Sequence, residues 1–168
     1  MKDIEKLFTR RSIRKFKDEP ASDEIVNKIL EAGRLSPSAT NSQPWHFIIV
    51  RNDDGKGACT FGGFNKFALD SDFIVVGFYR KSEAIMEQYS LMDVTIALQS
   101  MVIAAWLQGI GSCWMGAFDV NKLSNTLNLP SDARIVGAIA FGKPDEVPAQ
   151  PKKKQFSEIF HYDQWEEE

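Results

Sequence analysis

The stretch from Val94 to Leu107 constrains the fold more than any other part of the chain. It lies in a helical pattern running from about Glu87 to Gln108, and from Val94 onward that pattern is apolar around most of its circumference. A helix of this kind cannot rest on a surface by one stripe; other elements have to cover it on several sides. The apolar run is shorter than the ~20 residues that span a bilayer, and it is interrupted by Gln99. It therefore predicts the central helix of a packed core, closed by Gly109 and Gly111.

Elements able to cover it lie on both sides. Ile4, Leu7 and Phe8 mark a short first helix. Ser22 is an N-cap candidate, with Asp23 and Glu24 in the positive first turn of a second helix. Ile25, Val26, Ile29 and Leu30 form that helix's apolar face, and Gly33 is its expected stop. Trp45–Val50, Phe73–Phe78 and Arg134–Gly142 read as buried strands, Ser112–Gly116 as a short extended segment. A further helix runs to Leu127 from a cap at Asp119 or Asn121. Residues 55–72 hold four glycines and little periodicity, and read as irregular. With 168 residues and no linker or repeat, the pattern predicts one α+β domain over residues 1–168.

Charge and cysteines narrow the function. A net charge of −3 argues against nucleic acid or an anionic membrane as partner. Cys59 and Cys113 are far apart, without the spacing of a disulfide framework or a zinc site, so no metal is expected. No signal-peptide pattern is visible at Met1–Lys6, and a cytoplasmic location is expected. The segment beyond Lys143 combines prolines with Phe156, Ile159, Phe160, Tyr162 and Trp165. So apolar a segment is expected to lie along its own body or another chain.

Three segments have chemistry-bearing composition. In Arg10-Arg11-Ser12-Ile13-Arg14, an extended backbone would send positions 10, 12 and 14 to one side. Arginine forks suit a phosphate monoester, although a solvated basic surface has the same composition. The loop Ser36–Pro44 offers Ser38, Asn41 and Gln43 as polar partners among small residues, or is simply a capped entry to a strand. Gly109–Phe118 would bring backbone N–H groups and an apolar wall to a flat ring, or else ends a helix and starts a strand. It is not a dinucleotide fingerprint, because its glycines follow a helix instead of opening one. His46, His161, Cys113 and Asp93 belong to no motif that would make them catalytic; Asp93 reads as an interface or capping partner.

Taken in order, RRSIRKF (10–16), SPSATNSQPWHFIIV (36–50), LQGIGSCWMGAF (107–118), VGAIAFGKP (136–144) and PKKKQFSEIFHYDQW (151–165) resemble the nitroreductase family of flavoproteins over essentially the whole chain. The resemblance implies a mixed, largely antiparallel central sheet flanked by helices, with a C-terminal extension wrapping a partner subunit. It implies FMN at a homodimer interface, and NADH or NADPH as electron donor. Arg10, Arg11, Ser12 and Arg14 match positions holding the phosphate and the polar edge of the flavin. Pro37, Ser38, Ala39 and Asn41 match a loop reaching the flavin from the other subunit. Trp114, Met115, Gly116 and Ala117 match the segment behind the ring, where a backbone N–H faces N5; Lys153, with Lys152, matches a basic position completing the phosphate site. The implied activity is ping-pong reduction of nitroaromatics, quinones or similar small electron-poor acceptors, with no indispensable side-chain acid or base. A non-catalytic flavin-binding or redox-sensing protein is the alternative.

Overall fold

The computed structural model describes residues 3–165; Met1, Lys2 and Glu166–Glu168, at the ends of the expected 1–168 domain, lie outside the described residues. Five helices are α1 (Asp3–Phe8), α2 (Asp23–Arg34), α3 (Asp53–Ala58), α4 (Glu87–Leu107) and α5 (Val120–Thr126). Four strands, β1 (Trp45–Val50), β2 (Phe73–Arg80), β3 (Gly111–Met115) and β4 (Ala133–Gly142), pair antiparallel in the order β1-β2-β4-β3. The parallel register in this mixed, largely antiparallel arrangement is an isolated bridge between Ser12 and Ser112.

The two-residue period of β2 and β4 divides the core. Phe73, Val75, Ile139 and Phe141 face α2 and α4, where they meet Ile29, Val94, Leu98, Met101 and Ala105. Ile74, Val76, Ala138 and Ala140 face the other way, against Ala58, Cys59, Ala68, Met115 and Leu123. Central helix α4 is thus covered by sheet and α2 on one side, while Leu91, Met92 and Ile96 on its other side stay exposed, so the cover expected from its composition is only partly present within this chain. Its 21 residues make it long and apolar enough, by length and composition, to cross a membrane, more than the apolar run alone suggested. Close approach sets two glycines: a Cβ at Gly77 would lie 2.8 Å from Leu98 Cδ1, and one at Gly33 would lie 2.1 Å from Met101 Cε. Gly33 therefore does not stop α2; it lets α4 pack, and the helix ends one residue later.

Residues 55–72 are more ordered than their composition suggested. The Asn52 side chain accepts from Gly55 N–H at 2.8 Å and caps α3, with Asp53 and Asp54 in its first turn. The glycines hide this helix from a periodicity reading. The segment then seals the second face of the sheet, with Ala58, Cys59 and Ala68 fully buried. Buried Lys56 donates from Nζ to Ser71 O at 2.5 Å, tying α3 to the entry of β2. Asp119, of the two candidate caps, is the one that caps α5, accepting from Lys122 N–H at 3.0 Å.

Candidate functional site

At the C-terminal end of α4, Trp106 Nε1 donates to Lys6 O at 3.0 Å and Lys6 Nζ donates to Leu107 O at 2.6 Å, fixing α1. The chain leaves α1 through Arg10 and runs beside β3, where Ile13 N–H donates to Ser112 O at 2.9 Å. Ile13 is fully buried. It fits because Gly111 lacks a side chain; a Cβ there would lie 2.6 Å from Ile13 Cγ1. Alternation that sends Ile13 inward sends its neighbours outward.

Arg10, Arg11, Ser12 and Arg14 all line one cleft of about 510 Å³. Leu7 and Phe8 form part of its wall, and Pro148, Ala149, Gln150, Pro151 and Lys153 close it from the other side. Lys152 is not among the lining residues. Neighbouring residues are zipped together to bring that far wall into place. Lys17 N–H donates to Lys143 O, Asp145 N–H donates to Lys15 O, and Lys15 pairs with Glu146 at 2.7 Å.

The arginines are not equivalent. Arg11 donates to Gln150 Oε1 at 2.9 Å and to Arg10 O at 2.8 Å. Arg10 and Arg14 form no ion pair among the described residues; Arg14 Cζ sits 5.9 Å over the Phe67 ring. Burial pushes the neighbouring Cys113 thiol up, an effect the positive charges of Arg14 and Arg10 oppose. That thiol therefore stays protonated at neutral pH, consistent with an inert core cysteine.

The segment Trp114-Met115-Gly116-Ala117 begins in β3. Met115 points its side chain into the second core cluster, while Trp114 is partly exposed and donates from Nε1 to Gln99 Oε1 at 3.1 Å. Gly116 and Ala117 are exposed, and a Cβ built on Gly116 meets nothing within 4 Å. The backbone there is open to a flat ligand.

The loop is built at the other end of α4. Ser36 Oγ lies 2.8 Å from Ser100 Oγ, Ala39 N–H donates to Asp93 Oδ1 at 3.1 Å, and Ser38 Oγ accepts from Gln43 N–H at 2.9 Å. Thr40, Asn41 and Gln43 hold φ of 51°, 57° and 47°, a left-handed conformation uncommon outside glycine. Asp93, buried within α4, thus acts as a cap for the loop's backbone. At 1.5 Å per residue, Asp93, which holds Ala39, and Trp106, which holds α1, are about 20 Å apart along α4, with Ser100, which meets Ser36, between them.

Comparison with known proteins gives the family. The Nitroreductase family profile matches residues 7–68 and 60–143. The chain belongs to the nitroreductase family. An Archaeoglobus fulgidus relative, named for NADH dehydrogenase or NAD(P)H nitroreductase activity, is 33% identical over 172 residues, covering 96% of this chain and 98% of its own. A nitroreductase structure from Desulfovibrio desulfuricans, solved in complex with FMN, superposes with a TM-score of 0.85 at 26% identity, covering 98% of both chains. The FMN-dependent nitroreductase of Clostridium difficile R20291 superposes at 0.81 with 27% identity, covering 96% of this chain and 99% of its own.

In this nitroreductase-family chain the structure adds residues the sequence did not single out. Asn65 Nδ2 donates to Ala117 O at 2.5 Å, and Phe67 lies beside Arg14, so the glycine-rich excursion borders the site. The available signal was Phe61 and Phe64, two exposed aromatics flanking Gly62-Gly63. Gln150 is the third addition, and only the Arg11 contact makes it visible.

Proposed function

We propose that this chain is an FMN-dependent oxidoreductase that passes electrons from NADH or NADPH to nitroaromatics, quinones or similar electron-poor acceptors, working as a homodimer. The observation that carries the reading is the pair of uncommitted guanidiniums, Arg10 and Arg14, in a cleft next to the open backbone at Gly116 and Ala117. Two forks and the Lys153 ammonium suit a dianionic phosphate monoester, and the exposed backbone beyond suits a planar ring, so the residues fit FMN. The FMN named for the two solved relatives is consistent with that fit.

Arg10, Ser12, Arg14 and Lys153 hold the phosphate in this reading, with Arg11 at the cleft wall and Lys152 adding charge outside it. Trp114, Met115, Gly116 and Ala117 would hold the ring at the end of β3, where the exposed Gly116 would leave its backbone N–H available as a donor to the flavin. FMN, when bound, supplies hydride-type chemistry that no amino-acid side chain offers. The protein's contribution is to orient donor and acceptor in turn over one face, which gives ping-pong kinetics, and to surround developing negative charge with donors. No side chain is assigned as acid or base.

Pro37, Ser38, Ala39 and Asn41 act on the partner's cofactor in this proposal; none of them lines the cleft of their own chain, and Asp93, which holds their loop, lies about 20 Å along α4 from Trp106. Further support for a homodimer is unpartnered apolar surface: Leu91, Met92 and Ile96 on α4, and Phe156, Ile159, Phe160, Tyr162 and Trp165 in a tail that makes no buried contact with its own body. The tail wraps the second subunit. Absorbance of the purified protein is the test: flavin bands, release of FMN, and bleaching by NADH or NADPH, followed by turnover with a nitroarene or quinone. Colourless protein that takes up no FMN overturns the reading. Bound FMN without turnover assigns the chain to non-catalytic flavin binding, and a monodisperse monomer with full activity removes the dimer.

A further inference from the structure

Among the described residues, a single hydrogen bond ties the tail after Glu146 to its own body. Backbone pairing with residues 15–17 ends at Asp145, and the Lys15–Glu146 ion pair follows it. From Val147 to Trp165 the remaining hydrogen bonds and ring contacts among the described residues stay inside the segment: Gln155 with Glu158, Phe156 with Phe160, His161 with Trp165. The exception is Gln150 Oε1, which accepts from Arg11 Nη2 at 2.9 Å. The same guanidinium donates through Nη1 to Arg10 O at 2.8 Å and to Phe8 O at 3.4 Å. One planar fork therefore bridges the end of α1 and the strap, and three hydrogen bonds from its two terminal nitrogens do so.

We propose that Arg11 is a positioning residue, which latches Gln150 and thereby sets the Pro148–Lys153 strap as the outer wall of the cleft, delivering Lys153 to the anion. The inference rests on the FMN-phosphate reading above and assigns Arg11 a role distinct from that of Arg10 and Arg14. Gln150 is uncharged and Arg11 reaches it across the rim, so the latch contributes by ordering the strap. A flexible strap would carry Lys153 through many positions, and fixing it in advance lowers the entropy lost on binding.

The latch is tested on the full-length protein with Gln150→Leu, Arg11→Met, their combination and Lys153→Ala. Hydrogen exchange of the apo protein reads the latch without any cofactor. Residues 148–155 exchange faster in Gln150→Leu and in Arg11→Met, and equally fast in the double variant. FMN titration by fluorescence reads its consequence: Gln150→Leu weakens binding by about tenfold, the scale of one hydrogen bond to a charged group. That loss disappears when Gln150→Leu is added to Arg11→Met or to Lys153→Ala, because the latch or its cargo is already gone.

If Gln150→Leu leaves both strap exchange and FMN affinity unchanged while Arg11→Met weakens FMN strongly, Arg11 is a direct phosphate ligand and the latch is overturned. Additive losses in the double variant overturn it too. Arg10→Ala, measured alongside, separates the two levels of the argument. Unchanged FMN affinity there removes the phosphate reading, whereas the apo exchange data still decide the latch.

Discussion

The Arg10–Arg14 segment and the Ser36–Pro44 loop are both short, polar connections that adjoin elements held by α4, yet they are built in contrary ways. The arginine segment borrows its shape from β3 through Ile13 and leaves two guanidiniums without an ion pair among the described residues. The loop spends its polar groups on itself and on α4, through Ser38 to Gln43 and Ala39 to Asp93, and it holds three residues at positive φ. The first is, in the proposed reading, the anion site. The second is a preformed edge tied to α4 through Asp93, and none of its residues lines the cleft. A surface that is already satisfied internally recognises by shape and backbone, while a surface left with unneutralised charge recognises by charge.

The largest effect expected from this contrast is at the arginines. Arg10→Ala or Arg14→Ala should weaken FMN by about 2–5 kcal/mol, the cost of removing one partner of a charged, hydrogen-bonded contact. The melting temperature of the apo protein should hardly move, since neither side chain has an ion-pair partner to lose. Equal FMN affinity in both variants would erase the distinction between the two regions.

Asp93→Ala should act in the opposite sense. It strands the Ala39 N–H and releases the strained loop, lowering apo stability by roughly 1–2 kcal/mol. FMN binding should weaken only in proportion to dimer occupancy, and raising the protein concentration should restore it. A loss of FMN affinity independent of concentration would place the loop in its own chain's site.

The smallest effect is in acid. Beyond the loop, His46 in β1 bonds Glu83 at 2.7 Å, and Arg80 joins Glu83 to Asp132. The Ser82 hydroxyl and N–H, then Arg80, hold the Asp132 carboxyl down at about 2, below its ordinary 3.8. A carboxylate favoured by folding stabilises the chain above 3.8 and loses that contribution as the pH falls through about 2. Asp132→Asn should therefore flatten the acid limb of a stability–pH curve over that interval. An identical limb would mean that this exposed clasp contributes nothing measurable.

Much of this was legible in the residues. Helix α4 followed from an apolar circumference, β1, β2 and β4 from short buried runs between turn formers, and the arginine cleft from alternation of three polar positions. Each is a local or periodic signal, and each survives in the structure because burial enforces its period. The excursion at 55–72 was not legible, since α3 is capped by Asn52 but built on Gly55 and Gly57, whose composition mimics a loop. Gly33 was misread as a stop because its role, admitting Met101, belongs to a different helix.

By itself, then, the sequence determined which segments are buried, which are extended and which carry unneutralised charge, because hydrophobic period and residue chemistry are properties of neighbours along the chain. Only the tertiary structure decided that Arg11 turns to Gln150 while Arg10 and Arg14 form no ion pair among the described residues, that Asn65 reaches Ala117, and that the loop is held by Asp93 and Ser100 while α1 is held by Trp106 on the same helix. Those outcomes depend on which distant residues meet. Long-range meetings are settled by packing of the whole core, and no stretch of sequence encodes them alone.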